Sequence, residues 1–308
     1  MTLWLIITRA VHFSACLLFF GIFVFDRFTA SAFAGRQTEI AEYWKTCLRV
    51  ISWVLLPIIL ASGVAWFVVV AMTMSGQPLQ IDILKIVWTQ TQFGTVSKIR
   101  LVFLLAAAVL SWFLRSPPAV REFAAWVQTV AAGCLLGSLA WAGHGQETSR
   151  WHLLADVLHL LAAGIWPAGL APLFLLLRRA RKVSGREDWQ SMAMVVSRFS
   201  AVSLATVLLL ALTGTVNAWF LVGSFSDLVT DPYGRWLLAK IILFCMALAI
   251  ASVNLLRLKP RLLIEHSQPE KAKATVAQLQ TNVQFELALG SGIIAVVAVL
   301  GILPPAIH

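Results

Sequence analysis

The sequence has few charged residues. Asp, Glu, Lys and Arg together make up 12% of its 308 residues, whereas apolar residues make up 59%. A soluble domain typically has about 25% charged and about 45–50% apolar residues. The composition therefore excludes an ordinary soluble domain. It indicates an integral membrane protein whose main surrounding partner is membrane lipid.

Recognisable catalytic motifs are also absent. The sequence contains no nucleophile elbow, no phosphate-binding glycine loop and no zinc-protease motif, and no loop is long enough for a soluble catalytic domain. These absences argue against a hydrolase or a nucleotide-driven pump. Four cysteines are widely spaced and form no CxxC pair. A disulfide framework is therefore not expected.

Apolar runs account for most of the chain. A spanning helix needs about 20 mostly apolar residues. No segment between the runs alternates as a strand does, and only helices and closed barrels satisfy their backbone in lipid. The sequence thus predicts an all-α polytopic membrane protein with eight transmembrane helices. The predicted spans are about residues 3–25, 50–73, 98–114, 122–143, 152–177, 199–222, 236–256 and 285–303.

Basic residues are concentrated in alternate loops. Seventeen of the 24 Lys and Arg residues follow the first, third, fifth and seventh spans. The positive-inside rule then places these loops in the cytoplasm and both termini on the outer side of the membrane, which is the periplasm if the membrane is a bacterial inner membrane. The net charge of +10 reflects this topology, and no nucleic acid partner is expected. Lys98, Arg100 and Lys240 lie at outer span ends, where we expect long side chains to extend to the interface.

Short similarities relate two parts of the chain in the same order. VHFSACLLFFG (11–21) resembles LHLLAAGIWPAG (158–169), SGVAW (62–66) resembles TGTVNAW (213–219), and SKIRLVF resembles AKIILF. Each match is shifted by four spans, which preserves helix direction. We predict two parallel-related four-helix halves, residues 1–145 and 146–308, in one membrane domain with no attached soluble domain. Membrane carriers contain such repeats.

Polar residues open the fifth span. His152, Asp156 and His159 are spaced so that they project from one helix face, and His144 precedes them on the loop. In the predicted topology His144 and His152 lie at the outer surface, and His159 lies about 12 Å below it. Ionisable residues inside a span usually face the bundle interior and mark a pathway or site.

The first span contributes a second polar face. His12 and Cys16 are four residues apart, and His12 lies at the same predicted depth as His159. Imidazole and thiolate suit copper and zinc, and a carboxylate can orient a ligating imidazole. Interfacial, helix-capping or packing roles remain open for individual residues. The predicted metal ligands, facing the periplasm, are His159, His12, His152, Asp156, His144 and Cys16.

Three segments carry a resemblance to a known family. LHLLAAGIWPAGLAPL, TGTVNAWFLVGS and YGRWLLAKIILF…NLLRLKP resemble the membrane domain of the CopD/PcoD copper-resistance family. The resemblance implies a multi-helix bacterial inner-membrane protein that takes copper across the membrane, working with a periplasmic copper carrier similar to CopC. It also implies that family motif positions are His159, Trp166, Gly169, Tyr233, Gly234, Arg235 and Lys240. Pro167 and Ala168 depart from the glycine-rich pattern expected after Trp166.

Three functions are consistent with these features. The first is a copper permease, which is not an enzyme, with copper as its ligand. The second is a haem-b membrane oxidoreductase in which His12 and His159 are the axial ligands. The third is a docking subunit for a periplasmic copper carrier. Metal content distinguishes the three, and the sequence alone leaves the oligomeric state undetermined.

Overall fold

Helices make up nearly all of the described chain. The computed structural model describes residues 2–33, 38–142, 149–182 and 186–306, and no strand occurs in these ranges. The long helices are α1 (Thr2–Val24), α2 (Glu39–Ser75), α4 (Gln92–Trp112), α5 (Pro118–Gly137), α6 (Arg150–Ala180), α7 (Arg186–Leu221), α9 (Pro232–Val253) and α11 (Pro269–Leu300). The short helices are α3 (Ile81–Gln90), α8 (Phe225–Thr230) and α10 (Lys259–Glu265).

The eight predicted spans are confirmed. Eight helical segments in the described ranges are long and apolar enough to cross a membrane. They correspond to the eight long helices, with short π or 3-10 turns extending some of them. The all-α expectation is therefore correct. The orientation of the termini stays a prediction.

Several helices begin well before their apolar runs. The second, sixth and eighth spans were expected to begin at residues 50, 199 and 285, but α2, α7 and α11 begin at Glu39, Arg186 and Pro269. These extensions all lie on the side of the basic loops. Polar residues such as Glu, Lys and Gln are good helix formers, so a helix can continue past the apolar run that marks its span.

The expectation for two basic residues was wrong. Arg100 is buried, at 8% exposure, and Lys240 is partly buried, and neither side chain extends to the interface. Each instead contacts a histidine of a neighbouring helix. An imidazole nitrogen inside the bundle offers these cations a hydrogen-bond acceptor, and that contact replaces solvation at the membrane surface. The third span does not need such side chains to reach across the membrane, because it covers Gln92–Arg115.

Helices α1 and α6 pack against each other at the centre of the bundle. Helix α1 also contacts α2 and α5, while α6 also contacts α7 and α11. Gly21 permits the close approach: a Cβ atom there would lie 2.7 Å from the carbonyl oxygen of Gly164 and 2.9 Å from Cβ of Ala168. Small residues are what allow membrane helices to approach so closely. This contact fixes the relation between the two helices that carry His12 and His159.

We predict that Gly21→Ala lowers the thermal stability of the detergent-purified protein. The added methyl group meets backbone of α6, which cannot move aside as a side chain can, and overpacking costs about 1–3 kcal/mol. Gly290→Ala is the matched control, because a Cβ atom there has no neighbour within 4 Å. That change adds helix propensity without a clash. Equal melting temperatures for the two variants would contradict a tight α1–α6 contact.

Candidate functional site

The polar face of α6 lies against α7. His152, Asp156 and His159 share one face as predicted. Helix α7 runs antiparallel to α6, so later residues of this face contact earlier residues of α7. The three contacts are His152 stacked on Phe220 with 5.0 Å between ring centroids, Asp156 Oδ1 accepting from Asn217 Nδ2 at 2.7 Å, and His159 Nδ1 with Thr213 Oγ1 at 3.0 Å. The face therefore points into the bundle.

His12 occupies a buried position between α1, α2 and α4. Its ring is 3% exposed, and its Nδ1 lies 2.9 Å from the hydroxyl oxygen of Ser62. The guanidinium of Arg100 donates to Nε2 of the same ring. Cys16 Sγ lies 3.8 Å from that nitrogen and 3.7 Å from Arg100 Nη2. Imidazole, thiol and guanidinium therefore meet at one point inside the first half of the chain.

The hydroxyl groups determine which ring nitrogen carries the proton. Ser62 donates its single hydroxyl proton to the carbonyl of Ile58 at 2.6 Å, and Thr213 donates to the carbonyl of Leu209 at 2.7 Å. Each oxygen can then only accept from a histidine, so Nδ1 of the neutral ring is the protonated nitrogen. The lone pair of His12 or His159 is thereby left on Nε2.

His159 has partners of the same kind as His12. Its Nδ1 faces the hydroxyl of Thr213, and its Nε2 lies 3.4 Å from the ammonium nitrogen of Lys240. A glycine follows each hydroxyl residue in sequence and packs on the histidine ring: a Cβ at Gly63 would lie 3.0 Å from the ring of His12, and one at Gly214 would lie 3.4 Å from that of His159. Each ring is thus held by a hydroxyl, a cation and a glycine surface.

Hydrogen bonds to the C-terminal end of α5 fix the position of Arg100. Its Nη1 donates to the carbonyl of Leu135 at 3.1 Å and to the hydroxyl of Ser138 at 2.8 Å. A buried charge needs such hydrogen bonds, because burial removes its water. No carboxylate within the described residues forms an ion pair with Arg100. The positive charge beside His12 is therefore stabilised by neutral oxygens.

The second half holds a carboxylate beside its cation. Asp156 acts electrostatically on Lys240 and on Arg9 of α1, although the described residues include no ion pair of Asp156 within 4.0 Å. Arg9 also donates to the carbonyl of Gly301 at 2.8 Å. Asp156 thus compensates two cations that approach from different helices. The two histidines differ in this respect, because Asp156 acts electrostatically on Lys240, whereas no carboxylate among the described residues acts in this way on Arg100.

The predicted metal ligands do not form one cluster. Within the described ranges no group of three or more His, Cys, Asp or Glu side chains is close enough to hold a metal. His12 and Cys16 are brought together, and Asp156 lies near Lys240 beside His159. His12 contacts α2 and α4, whereas His159 contacts α7 and α9. These are two separate histidine environments.

Two of the histidines that the sequence predicted at the outer surface differ from His12 and His159. His152 was expected at the outer surface, but it is fully buried between α6 and Phe220 of α7. Its apolar stacking partner explains the difference, because an imidazole ring can be buried on an aromatic surface. His144 lies outside the described residues.

A pocket opens beside His12. Its volume is about 200 Å³, and its lining is largely apolar, with the aromatic side chains Trp66, Phe67, Trp88 and Phe93 in its wall. The ring centroids of His12 and Trp66 are 5.5 Å apart. A small ligand in this pocket would be within reach of Nε2 of His12 and of the Arg100 guanidinium, which both belong to its wall.

The family motif positions have mainly structural roles. Trp166 is buried edge-on against Phe244, with 5.9 Å between centroids. A Cβ at Gly169 would lie 2.9 Å from Phe199, and one at Gly234 would collide with the backbone of α8. The buried Tyr233 and the exposed Arg235 hold the α8–α9 junction, through Tyr233 N to Asp231 Oδ1 at 2.7 Å and Arg235 Nε to Val229 O at 3.0 Å. Lys240 is the motif residue that contacts His159.

Sequence reasoning missed several of the residues described above. Ser62 and Thr213 were visible as part of the SGVAW and TGTVNAW repeat, but their partners were not identified. Arg100 was expected at the interface. Glu286, a buried acid in the eighth span, was not singled out, although an acidic residue inside an apolar run is itself a signal of a site.

We predict that Asp156→Asn destabilises the purified protein by about 1–3 kcal/mol, because two partly buried cations lose a compensating charge. The amide preserves the size of the side chain and an acceptor for Asn217. Asp82→Asn is the control: the Asp82 side chain is 89% exposed and pairs with Lys85 at 3.8 Å. Such an exposed change should stay within about 0.5 kcal/mol. Thermal unfolding in detergent measures both, and equal stability would show that Asp156 does not carry this charge balance.

Comparison with known proteins identifies the relatives of this chain. Residues 1–153 match the family model described as copper resistance protein D-like, N-terminal domain, and residues 193–300 match that of copper resistance protein D. Copper resistance protein D of Pseudomonas syringae pv. tomato is 34% identical over 223 residues, which cover 70% of each chain.

Two further relatives match this chain over different fractions of their length. The inner membrane protein YebZ of Escherichia coli (strain K12) is 27% identical over 218 residues, which cover 70% of each chain. The copper transport protein CutJ of Bacillus subtilis (strain 168) is 34% identical over 125 residues, which cover 40% of this chain and 22% of that protein. The expected location as a multi-pass inner-membrane protein is confirmed by the eight spans and by the relative that carries this name. The resemblance seen in the sequence is also confirmed: the chain belongs to the copper resistance protein D family.

Proposed function

We propose that this chain binds copper from the periplasm at its histidine sites and moves it across the inner membrane. The observation that carries the proposal is the shared environment of His12 and His159, in which a hydroxyl holds Nδ1–H and leaves the Nε2 lone pair directed into the bundle. A ligating histidine almost always donates its other N–H to an oxygen in this way. The names of the relatives, copper resistance protein D and copper transport protein CutJ, agree with it.

The donor atoms at His12 suit copper in its reduced state. Nε2 of His12 and Sγ of Cys16 are 3.8 Å apart, so one ion between them could contact both after small side-chain rotations. Thiolate and imidazole are ligands that select copper over hard cations such as magnesium or calcium. Because Cys16 is fully buried, its sulfur is available only to a ligand that has entered the bundle.

The cations beside the histidines make binding reversible. Arg100 and Lys240 occupy the Nε2 lone pairs, so copper must displace a positive side chain to bind. Lys240 can turn to Asp156, with which it already interacts electrostatically. Conduction requires sites that bind an ion and also release it. A cation that returns to Nε2 would favour release.

The topology completes the proposal. With the basic loops in the cytoplasm, both termini and the starts of α4, α6 and α9 face the periplasm. The matched histidine environments in residues 1–145 and 146–308 support two parallel-related halves, each with its own site. Copper would arrive from a CopC-like periplasmic carrier and pass His152 and Asp156 before it reaches His159. His144, outside the described residues, remains a proposed first ligand.

A haem-b oxidoreductase is the second candidate function. The observation that favours it is the same histidine geometry, since an axial ligand also needs Nδ1–H bonded and Nε2 free for iron. The separation of His12 and His159 into different helix groups argues against one haem held by both. A docking subunit for a copper carrier is the third candidate, and it requires neither metal in the membrane.

We expect purified protein to contain copper that is absent from the His12→Ala/His159→Ala double variant. Elemental analysis for copper and iron, with an absorption spectrum of protein made in haem-replete cells, is the measurement. His266→Ala is the control, because that side chain is partly exposed and bonds only the carbonyl of Leu263 among described contacts. If the wild type contains iron and shows a Soret band, and the double variant loses both, the two histidines hold haem. The function would then be electron transfer and not copper movement. If the purified protein contains neither copper nor iron, that result would favour the docking role.

A second prediction concerns the hydroxyl that orients His159. Thr213→Val keeps the shape of the side chain and removes the acceptor of Nδ1–H. Loss of such a partner typically costs about 10–100-fold in metal affinity. Thr215→Val on the same helix is the matched control, since Thr215 is exposed and bonds only the carbonyl of Ala211 at 2.9 Å. Copper titration of both variants measures their affinities. Equal affinities would show that His159 is not a copper ligand.

A further inference from the structure

A second polar site lies further along α6 than His159. The inner pocket, with a volume of about 110 Å³, is lined by residues of α6, α7, α9 and α11 and of the turn after α9. Its polar lining consists of Ser200, Ser203, Ser252, Asn254 and Glu286. On α6 it begins at Trp166, seven residues or about 10 Å beyond His159. The pocket is therefore distinct from both histidine sites.

Glu286 is the acidic residue of this pocket. Its side chain is 2% exposed, and Oε1 accepts from Asn254 Nδ2 at 2.6 Å. Asn254 Oδ1 accepts in turn from Asn282 Nδ2 at 2.7 Å. Asn282 is one helical turn before Glu286 on α11, in the direction of the basic loops. The three side chains form a polar chain between the pocket and that end of the bundle.

The local helix geometry supports a functional role for this chain. Asn254 begins a π-helical turn, Asn254–Leu258, at the end of α9. Such turns are rare and often occur at functional sites. Ser203 adds a second observation, because its buried hydroxyl oxygen lines the pocket and has no hydrogen-bond partner among the described residues. A polar group is thus available for a ligand or a water molecule.

Among the described residues that line the pocket, none carries a positive charge that could balance Glu286. The described residues that line the inner pocket from α6, α7, α9 and α11 include no Lys, Arg, His or Asp. The basic residues nearest in sequence to Asn254, Arg257 and Lys259, do not belong to that lining. An isolated carboxylate in such surroundings is unstable unless it takes up a positive charge. Among positive charges, a proton needs the fewest ligands.

We propose that Glu286 is a proton-binding site reached from the cytoplasmic side, and that copper movement is coupled to its protonation. The coupling rests on the proposed copper function, whereas the proton site stands on the pocket alone. Acids buried inside membrane spans commonly serve as proton relays. Carboxylate, amide and hydroxyl oxygens are poor ligands for copper in its reduced state, the state that the donors at His12 suit, so the inner pocket is not a continuation of the histidine sites.

Carbodiimide labelling tests the proton site directly. Dicyclohexylcarbodiimide takes the proton of a protonated carboxyl on nitrogen while the carboxylate oxygen bonds to its central carbon, and the product rearranges to a stable N-acylurea. Mass spectrometry of the full-length protein in lipid vesicles would locate the adduct. We expect an adduct at Glu286 whose yield falls as pH rises, approaching about tenfold per pH unit above the titration midpoint.

Variants and competing ions make the test specific. Glu286→Gln should abolish the adduct and keep the bond to Asn254, while Glu270→Gln, at an exposed position of α11, should leave labelling unchanged. No adduct at any pH, or a yield independent of pH, would overturn the proton site. Protection by sodium at constant pH would also overturn it, because a metal cation would then be the ligand.

Copper-dependent proton flux separates the two proposals. Vesicles containing a pH-sensitive dye should report proton movement on copper addition with wild-type protein and Glu270→Gln, and none with Glu286→Gln. Copper movement without proton flux in the wild type would overturn the coupling. If the wild type moves no copper while Glu286 still labels with the expected pH dependence, the copper function fails and the proton site stands.

Discussion

The bond between a hydroxyl and a histidine is the interaction on which the site depends. Lipid offers no hydrogen-bond partners, so every polar group inside the bundle must find one in the protein. Ser62 and Thr213 give their protons to their own helix and can only accept from the ring. That constraint selects the tautomer of His12 and of His159, and the tautomer directs an Nε2 lone pair toward the interior. The cations and the proposed metal both compete for that lone pair.

Charge is distributed unevenly along the bundle. Around the histidines it is largely positive, with Arg100 held by neutral oxygens and Lys240 and Arg9 sharing Asp156. The inner pocket holds one acid without a cation. In the proposed mechanism, the positive charge of the first region favours release of a bound copper ion, and the acid of the second region attracts a proton. A protein that only stored copper would gain nothing from cations beside its ligands, whereas one that releases copper can use them.

The sequence was sufficient for the features that depend on periodicity. Eight spans follow from run length, and the shared face of His152, Asp156 and His159 follows from helical spacing. The direction of long side chains was not predictable. Arg100 and Lys240 can reach either the interface or the interior, and the choice depends on a lone pair carried by another helix. His152 was misplaced for a related reason, since its burial depends on Phe220 across the helix contact.

Trp166 explains why the two polar regions can act separately. It is buried, packs edge-on against Phe244 and forms part of the wall of the inner pocket. His159 lies about 10 Å away along the same helix. In the proposed mechanism, the large apolar side chain of Trp166 would interrupt a continuous file of water, which would otherwise let protons cross without copper. Pro167 directly follows Trp166 and leaves one backbone hydrogen bond of α6 unformed. A helix that lacks this hydrogen bond can bend at Pro167. The residue proposed to block water, Trp166, is therefore adjacent in sequence to the point at which α6 can bend.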